Sequence, residues 1–225
     1  MIDNEVVLEA LRVLCSEGLT STQSQGFNVC SAVADVSGGA VLQASWQASW
    51  SPKLGNEILD PRFNYDFSNL KDTEKYYRGG EEYKRPCGWQ RFALKVLDKY
   101  EDNTWLGNMN RETESVPGEW PVSYHGTQEQ YVKAITEENY KPGPRQLYGQ
   151  GVYSTPDIKI AKDFATGFSW KGQKYKTVFQ NRINPKYREI CNSGKYWLVP
   201  IKDKRTTQEI VNKAIRPYGL LVIKV

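Results

Sequence analysis

The chain has 225 residues, of which 39 % are hydrophobic and 25 % are charged, values typical of one globular domain with or without an N-terminal extension. No apolar run reaches the roughly 18 residues that a membrane-spanning helix requires, and the acidic start lacks the basic region of a signal peptide. The net charge of +4 comes from short basic clusters at 84–85 and 202–205, which are more typical of solvated surface than of a nucleic-acid interface. We therefore expect a cytoplasmic or nuclear protein without a membrane partner.

The cysteines and the histidine argue against a metal centre. Cys15, Cys30, Cys87 and Cys191 are far apart, and none of them forms a Cys-x-x-Cys pair. Because the chain also has only 1 histidine, we expect no metal site and predict that the cysteines are buried free thiols.

The first third of the chain differs in composition from the rest. Residues 3–17 are predicted to form an amphipathic helix, which Asp3 can cap and Gly18 can end. The following stretch is rich in Ser, Gly, Gln and Ala and repeats Gln-Ala-Ser-Trp at 43–50. We predict an N-terminal helix and loop-rich extension over 1–75 and a second unit over 76–225.

The middle of the chain contains the first chemically informative segment. Residues 86–100 fit a helix and a strand equally well by their periodicity. Residues 121–125 are predicted to be a short strand ending at Gly126. Thr127 is then expected to cap a helix in a capping box with Gln130, with Tyr131, Ala134 and Ile135 on the buried side.

A second strand and helix follow about 25 residues later. Residues 152–154 are predicted to be a strand, and Thr155 is expected to cap a helix that begins at Pro156. The predicted buried side of this helix comprises Ile158, Ala161, Ala165 and Phe168.

The C-terminal third alternates like a series of strands. Residues 175–183, 196–199 and 220–225 are predicted strands, and 215–219 is predicted to be a turn that leads into the last one. Strands with two short helices between them predict an α+β domain.

The single histidine has neighbours that suit a binding site. His125 is at a predicted strand end, Gly126 allows close backbone approach, and Thr127 adds a hydroxyl group. Taken alone, this triplet fits a structural histidine and a helix cap better than a ligand site.

A second cluster strengthens the case for a ligand. Gly149 and Gly151 precede Tyr153, and Phe164 follows on the predicted helix. Two rings on a strand end and a helix can hold a flat heteroaromatic group between them, although both rings could equally belong to a core.

The order His-Gly-Thr, Gly-x-Gly-Val-Tyr and Ala-x-x-Phe, with these spacings, resembles the diphtheria-toxin-like ADP-ribosyltransferases, which form the poly(ADP-ribose) polymerase superfamily. The resemblance covers roughly residues 120–225. It implies a split antiparallel β-sheet fold with short helices and an NAD⁺ cleft.

The resemblance also implies roles for individual residues. His125 and Tyr153 would be the catalytic motif residues, His125 by bonding the adenosine ribose and Tyr153 by stacking on nicotinamide. Gly126 would bind the carboxamide through its backbone, and Thr127 would assist there or at a ribose. Phe164 would provide the second stacking ring.

Two further cleft residues are implied by their position between the motifs. Arg145 and Tyr148 would line the adenosine and diphosphate side, where Arg145 would be a charged donor to phosphate.

The chain departs from the family at two positions. Ala161 stands where the family has a serine that bonds the carboxamide. The glutamate at the start of the penultimate strand, which polymer-forming members use, falls here on Lys195 or Tyr196. Glu189 and Glu209 are acidic residues close to that strand in sequence and are interpreted as surface charges.

These features together predict a mono-ADP-ribosyltransferase that transfers ADP-ribose from NAD⁺ to a protein acceptor and releases nicotinamide, without a metal. The alternatives are a catalytically inactive NAD⁺ or ADP-ribose binder, which the missing glutamate favours, and a transferase that modifies nucleic acid, which the basic clusters favour slightly.

Overall fold

The computed structural model describes residues 58–108, 112–128, 131–143 and 147–225. Several predictions fall outside these residues. They are the helix at 3–17, the repeat at 43–50, most of the extension over 1–75, and the predictions for Cys15, Cys30, Gln130 and Arg145. In the part that is described, Cys87 and Cys191 are free thiols, as predicted. Both are half-buried, whereas full burial was predicted.

The protein has a mixed α+β fold built mostly of antiparallel strands, as predicted. The described strands are β1 (Tyr65–Asp66), β2 (Tyr77–Arg78), β3 (Glu81–Glu82), β4 (Gln90–Ala93), β5 (Val122–Gly126), β6 (Gly151–Ser154), β7 (Gly167–Trp170), β8 (Gln173–Ile183), β9 (Glu189–Cys191), β10 (Tyr196–Pro200) and β11 (Ile215–Lys224). The described α-helices are α1 (Val132–Glu138), α2 (Ile158–Phe164) and α3 (Thr207–Ala214).

The strands form two principal sheets and one small hairpin. The main sheet has the order β1-β4-β11-β8-β5, and β7 pairs with β8. The second sheet has the order β6-β10-β9, while β2 and β3 form a separate hairpin. All the pairings between these strands are antiparallel.

The two longest strands are buried on both faces. Val178 and Phe179 are adjacent on β8 and belong to two different hydrophobic clusters, because successive strand residues point to opposite faces. The Phe179 cluster includes residues of α1 and α3, and the Val178 cluster includes Ile158 and Ala161 of α2. The main sheet therefore lies between two layers, and α2 is on the Val178 side.

The observed burial can be compared with the residues predicted to lie on the buried sides of the two helices. Ile158, Ala161, Ala165 and Phe168 are all buried, as predicted, although Phe168 is on β7 and not on the helix. On α1, Ile135 is buried but Tyr131 is 48 % exposed, so its assignment to the core was wrong.

Both predicted helix caps were wrong. The helix α1 begins at Val132, five positions after Thr127, and its N-cap residue is Tyr131. The N-cap of α2 is Asp157, whose side chain accepts from the Lys159 N–H. Asp157 displaced Thr155 as the cap because Thr155 is still hydrogen-bonded to β5 through its backbone.

Two segments contain strands in the structure. Within the ambiguous segment 86–100, Gln90–Ala93 form β4, which pairs with β11. The predicted turn at 215–219 is wrong, because these residues are the first half of β11. The strand accommodates Pro217 through a register shift between Pro217 and Gly219, where a bulge relaxes the pairing.

Part of the predicted N-terminal extension joins the main sheet. Within residues 58–75, Tyr65 and Asp66 pair with β4, and Leu59 forms an isolated bridge with Leu94. In the described part of the chain, no helix is long and apolar enough to cross a membrane.

Candidate active site at a split between two strands

One backbone bridge joins β5 of the main sheet to the end of β6 in the second sheet. The Tyr124 N–H donates to the Thr155 carbonyl at 2.7 Å, and the Thr155 N–H donates to the Tyr124 carbonyl at 2.9 Å. Continued antiparallel pairing would place Gly126 opposite Tyr153, two residues further along each strand. The structure has no strand pairing there, so a gap opens between two of the predicted site residues.

His125 spans this gap. Its Nδ1 lies 2.6 Å from the carbonyl oxygen of Tyr153. Because a carbonyl oxygen only accepts, Nδ1 carries the proton, and Nε2 of the neutral ring is a hydrogen-bond acceptor. Burial lowers the pKa of His125, and the bond to Tyr153 opposes this effect only in part. The imidazole is therefore neutral at pH 7.

Tyr140 packs against the ring of His125, a contact that was not predicted from the sequence. The two ring centroids are 4.8 Å apart in an edge-to-face arrangement. The Tyr140 hydroxyl donates to Asn181 Oδ1 at 2.6 Å, and the side chain is fully buried. Tyr140 follows α1 in a loop, where no periodicity or motif identifies it.

Gly126 faces the gap with its backbone. Tyr124 uses its amide groups for Thr155, so the two-residue alternation of a strand directs the Gly126 N–H and C=O to the same side. A Cβ atom at Gly126 would lie 1.9 Å from the Ala161 carbonyl oxygen. Glycine is therefore required for the close approach of α2, and Ala161 contacts Gly126 through its backbone.

Tyr153 is held by its hydroxyl group. This group donates to the Gly149 carbonyl at 2.6 Å and accepts from the Tyr148 N–H at 2.8 Å. Gly149 has a φ of +119°, which side chains rarely adopt, and a Cβ atom at Gly151 would lie 2.1 Å from the Val199 carbonyl oxygen. The two glycines thus shape the turn that positions Tyr153.

Three further rings form a cluster that adjoins Tyr153 through the Tyr148 N–H, which donates to the Tyr153 hydroxyl group. The ring centroid of Tyr196, the first residue of β10, lies 6.1 Å from that of Tyr148 and 6.4 Å from that of Phe164. Tyr148 is 39 % exposed and Phe164 is 44 % exposed. The structure thus brings both predicted aromatic residues to Tyr196, and the penultimate strand begins at Tyr196, as predicted.

Thr127 follows Gly126 at the end of β5 and is packed into the fold. Its side chain is buried, and its carbonyl oxygen accepts from the backbone N–H of Thr166 at 3.2 Å. This bond ties the end of β5 to the start of β7. Arg145, the predicted phosphate contact, lies outside the described residues.

The acidic residues near β10 differ in their location. Glu209 is on α3 and forms an exposed ion pair with Lys213 at 2.6 Å. Glu189 is on β9, beside β10 in the second sheet, and is exposed. Within the described residues, no three His, Cys, Asp or Glu side chains are grouped as they would be around a metal ion.

No protein-family model matches the chain, and no curated protein is significantly similar to it.

Proposed function

We propose that this chain is a mono-ADP-ribosyltransferase and that its two sheets form the split sheet of an ADP-ribosyltransferase fold. The observation that carries the proposal is the separation of β5 and β6 at Gly126 and Tyr153, with His125 bonded across the gap. A gap lined by backbone amide groups and a tyrosine ring suits a flat ring that bears a carboxamide, as nicotinamide does.

In this proposal nicotinamide occupies the gap. Its carboxamide exchanges hydrogen bonds with the backbone N–H and C=O of Gly126, as a neighbouring strand would. The ring of Tyr153 packs against the pyridine ring. Nε2 of His125 is an acceptor, so it takes a hydrogen bond from a ribose hydroxyl group.

The neutral imidazole of His125 suits cleavage of the bond between ribose and nicotinamide. Cleavage of the bond between ribose and nicotinamide passes through a transition state with positive charge on the ribose ring, as in glycoside cleavage. A protonated imidazole would raise the energy of that state, whereas the lowered pKa of His125 keeps it neutral. Interactions that hold the nicotinamide ring twisted against the ribose lower the barrier further.

Transfer of a single ADP-ribose is favoured over polymer synthesis. The strand β10 begins at Tyr196, and neither Tyr196 nor Lys195 before it has the carboxylate that the polymer-forming relatives place at the start of this strand. We propose a protein acceptor. The same observation supports the second candidate function, binding of NAD⁺ or ADP-ribose without turnover.

Nicotinamide release from NAD⁺ by the purified protein tests the proposal. We expect release by the wild type with one ADP-ribose added to a protein, and loss of release in His125→Ala and Tyr153→Ala. Tyr187→Ala is the control, because Tyr187 is an exposed tyrosine that follows β8 in a short helix. Tight NAD⁺ binding without any release would select the second candidate.

A further inference from the structure

One face of the second sheet carries both Tyr153 and Glu189. Tyr153 is paired with Leu198, and Leu198 is paired with Glu189, in the antiparallel registers of β6, β10 and β9. Directly opposed residues of an antiparallel pair share a face of the sheet. With neighbouring strands roughly 4.8 Å apart, the Glu189 backbone lies about 10 Å from that of Tyr153.

The same face also carries an aromatic cluster. Tyr196 lies on it two residues before Leu198, and its ring meets Tyr148 from the loop before β6 and Phe164 from α2. Cys191 is paired with Tyr196 and shares the face. Burial raises the pKa of the Cys191 thiol most, and the negative charge of Glu189 raises it further. The second effect agrees with a Glu189 carboxylate close to Cys191 on the same face.

The neighbours of Glu189 along β9 point the other way. The Arg188 guanidinium lies 4.1 Å from the ring centroid of Trp197, whose side chain belongs to the core on the opposite face. Ile190 is paired with Trp197 and shares that opposite face. The alternation of the strand therefore separates Glu189 from the arginine and places its exposed carboxylate on the face that carries Tyr153.

We propose that Glu189 is the general base of the transfer reaction and that the acceptor reacts through a hydroxyl group. The inference rests on the proposed function. A hydroxyl acceptor must lose its proton as it attacks, and Tyr196 offers no carboxylate for this. Glu189 supplies one from the adjacent strand, whereas an acceptor that reacts through a carboxylate would need no base.

The step balances without another reactant. The acceptor oxygen forms a bond to C1′ of the nicotinamide ribose as the bond from C1′ to the pyridine nitrogen breaks. The electron pair of the broken bond neutralises the pyridinium, which leaves as nicotinamide. The hydroxyl proton passes to the Glu189 carboxylate and then to water.

The test compares NAD⁺ turnover by the wild type with that by Glu189→Gln. The probe is NAD⁺ with water and the protein itself as acceptors, and total nicotinamide release is measured beside NAD⁺ affinity. We expect Glu189→Gln to bind NAD⁺ as the wild type does and to lower kcat by about 10²-fold or more, the usual contribution of a general base. Glu189→Asp should recover part of the rate. Glu209→Gln, an exposed glutamate on α3, should leave both quantities unchanged.

Two results would overturn the proposal, and they are distinguishable. Equal turnover by Glu189→Gln and the wild type would reject Glu189 as the base and leave the transferase function intact. Absence of turnover in the wild type, with NAD⁺ bound, would reject the transferase function and this inference with it.

Discussion

Nδ1 of His125 donates to the carbonyl oxygen of Tyr153 across 2.6 Å, at the point where the two strands that carry these residues separate. The side chain of one strand thus replaces the backbone pairing that Gly126 and Tyr153 would otherwise make. It leaves the amide groups of Gly126 directed to the gap and fixes the tautomer of the imidazole. Both consequences can be tested on the protein alone.

His125 should make the stability of the protein depend on pH. Its native pKa is lowered, so the unfolded chain takes up a proton near the ordinary value of 6.5 and the native protein does so only at lower pH. The contribution is fully present above pH 6.5 and is lost as the pH falls to the native pKa, with a slope of at most about 1.4 kcal/mol per pH unit.

Urea unfolding of the wild type and of His125→Gln between pH 5 and 8 measures this effect. The difference in unfolding free energy between the two should be constant above pH 6.5 and shrink below it. His125 is the only histidine, so no other imidazole titrates in this range. The carboxylates are common to both proteins, so their titrations cancel in the comparison. A difference that does not vary with pH would contradict the lowered pKa.

The ring and the hydroxyl group of Tyr153 should contribute separately to NAD⁺ binding. Tyr153→Ala removes the ring and should weaken binding by about 1 to 3 kcal/mol, the range for stacking of a base on an aromatic side chain. Tyr153→Phe retains the ring but loses the bonds to Gly149 and Tyr148, and we expect a loss below about 1.5 kcal/mol.

Calorimetric titration with NAD⁺ separates the two variants, and Tyr187→Ala serves as the control. Unchanged affinity in Tyr153→Ala would remove Tyr153 from the binding site.

Gly126→Ala should destabilise the protein and displace α2. The new Cβ atom would lie 1.9 Å from the Ala161 carbonyl oxygen and 2.9 Å from the Ala165 amide nitrogen, which are backbone atoms with little freedom to move. We expect a loss of about 1 to 3 kcal/mol or more in unfolding free energy.

Gly143→Ala is the matched control for this substitution. A Cβ atom there has no neighbour within 4 Å among the described residues, and its φ is not in the left-handed region. Its stability should be unchanged or slightly raised, because alanine restricts the unfolded chain. Equal stability of the two variants would contradict the close approach of α2 to Gly126.

The strands around the motifs could be predicted because each signal there is local. The predicted strands at 121–125 and 152–154 match β5 and β6, since each short run borders a glycine, Gly126 or Gly151, at which a Cβ atom would clash with the backbone. The turn predicted at 215–219 was wrong for the same reason. Proline and glycine are local turn signals, but pairing with β8 and a bulge override them in β11.

The contacts that the sequence did not reveal join distant parts of the chain. Tyr140 packs on His125 from a loop, and Glu189 shares a sheet face with Tyr153 only through the registers of two strand pairs. The predicted caps at Thr127 and Thr155 were wrong because nearby backbone bonds already held these residues. Periodicity and caps report on neighbours within about four residues along the chain, so they carry no information on such pairings.

A buried ion pair between Arg182 and Glu119 holds β8 to the loop before β5. The two side chains are 7 % and 3 % exposed, and their charged atoms are 3.3 Å apart. Arg182 also donates to the Trp120 carbonyl at 2.6 Å, and Glu119 accepts from the Gly79 and Val116 amides. Glu119→Ala leaves the guanidinium buried without its counter-charge, which typically costs about 3 to 5 kcal/mol.

Urea unfolding of Glu119→Ala and Glu209→Ala isolates the effect of burial on this cost. Glu209 forms a shorter ion pair with Lys213, yet its side chain is 64 % exposed, so its removal should cost less than about 0.5 kcal/mol. Solvent screens the exposed pair, whereas Arg182 has little water to replace the lost carboxylate. Equal destabilisation by the two substitutions would mean that water reaches Arg182 in the native protein, and it would remove the ion pair as the link between β8 and the loop before β5.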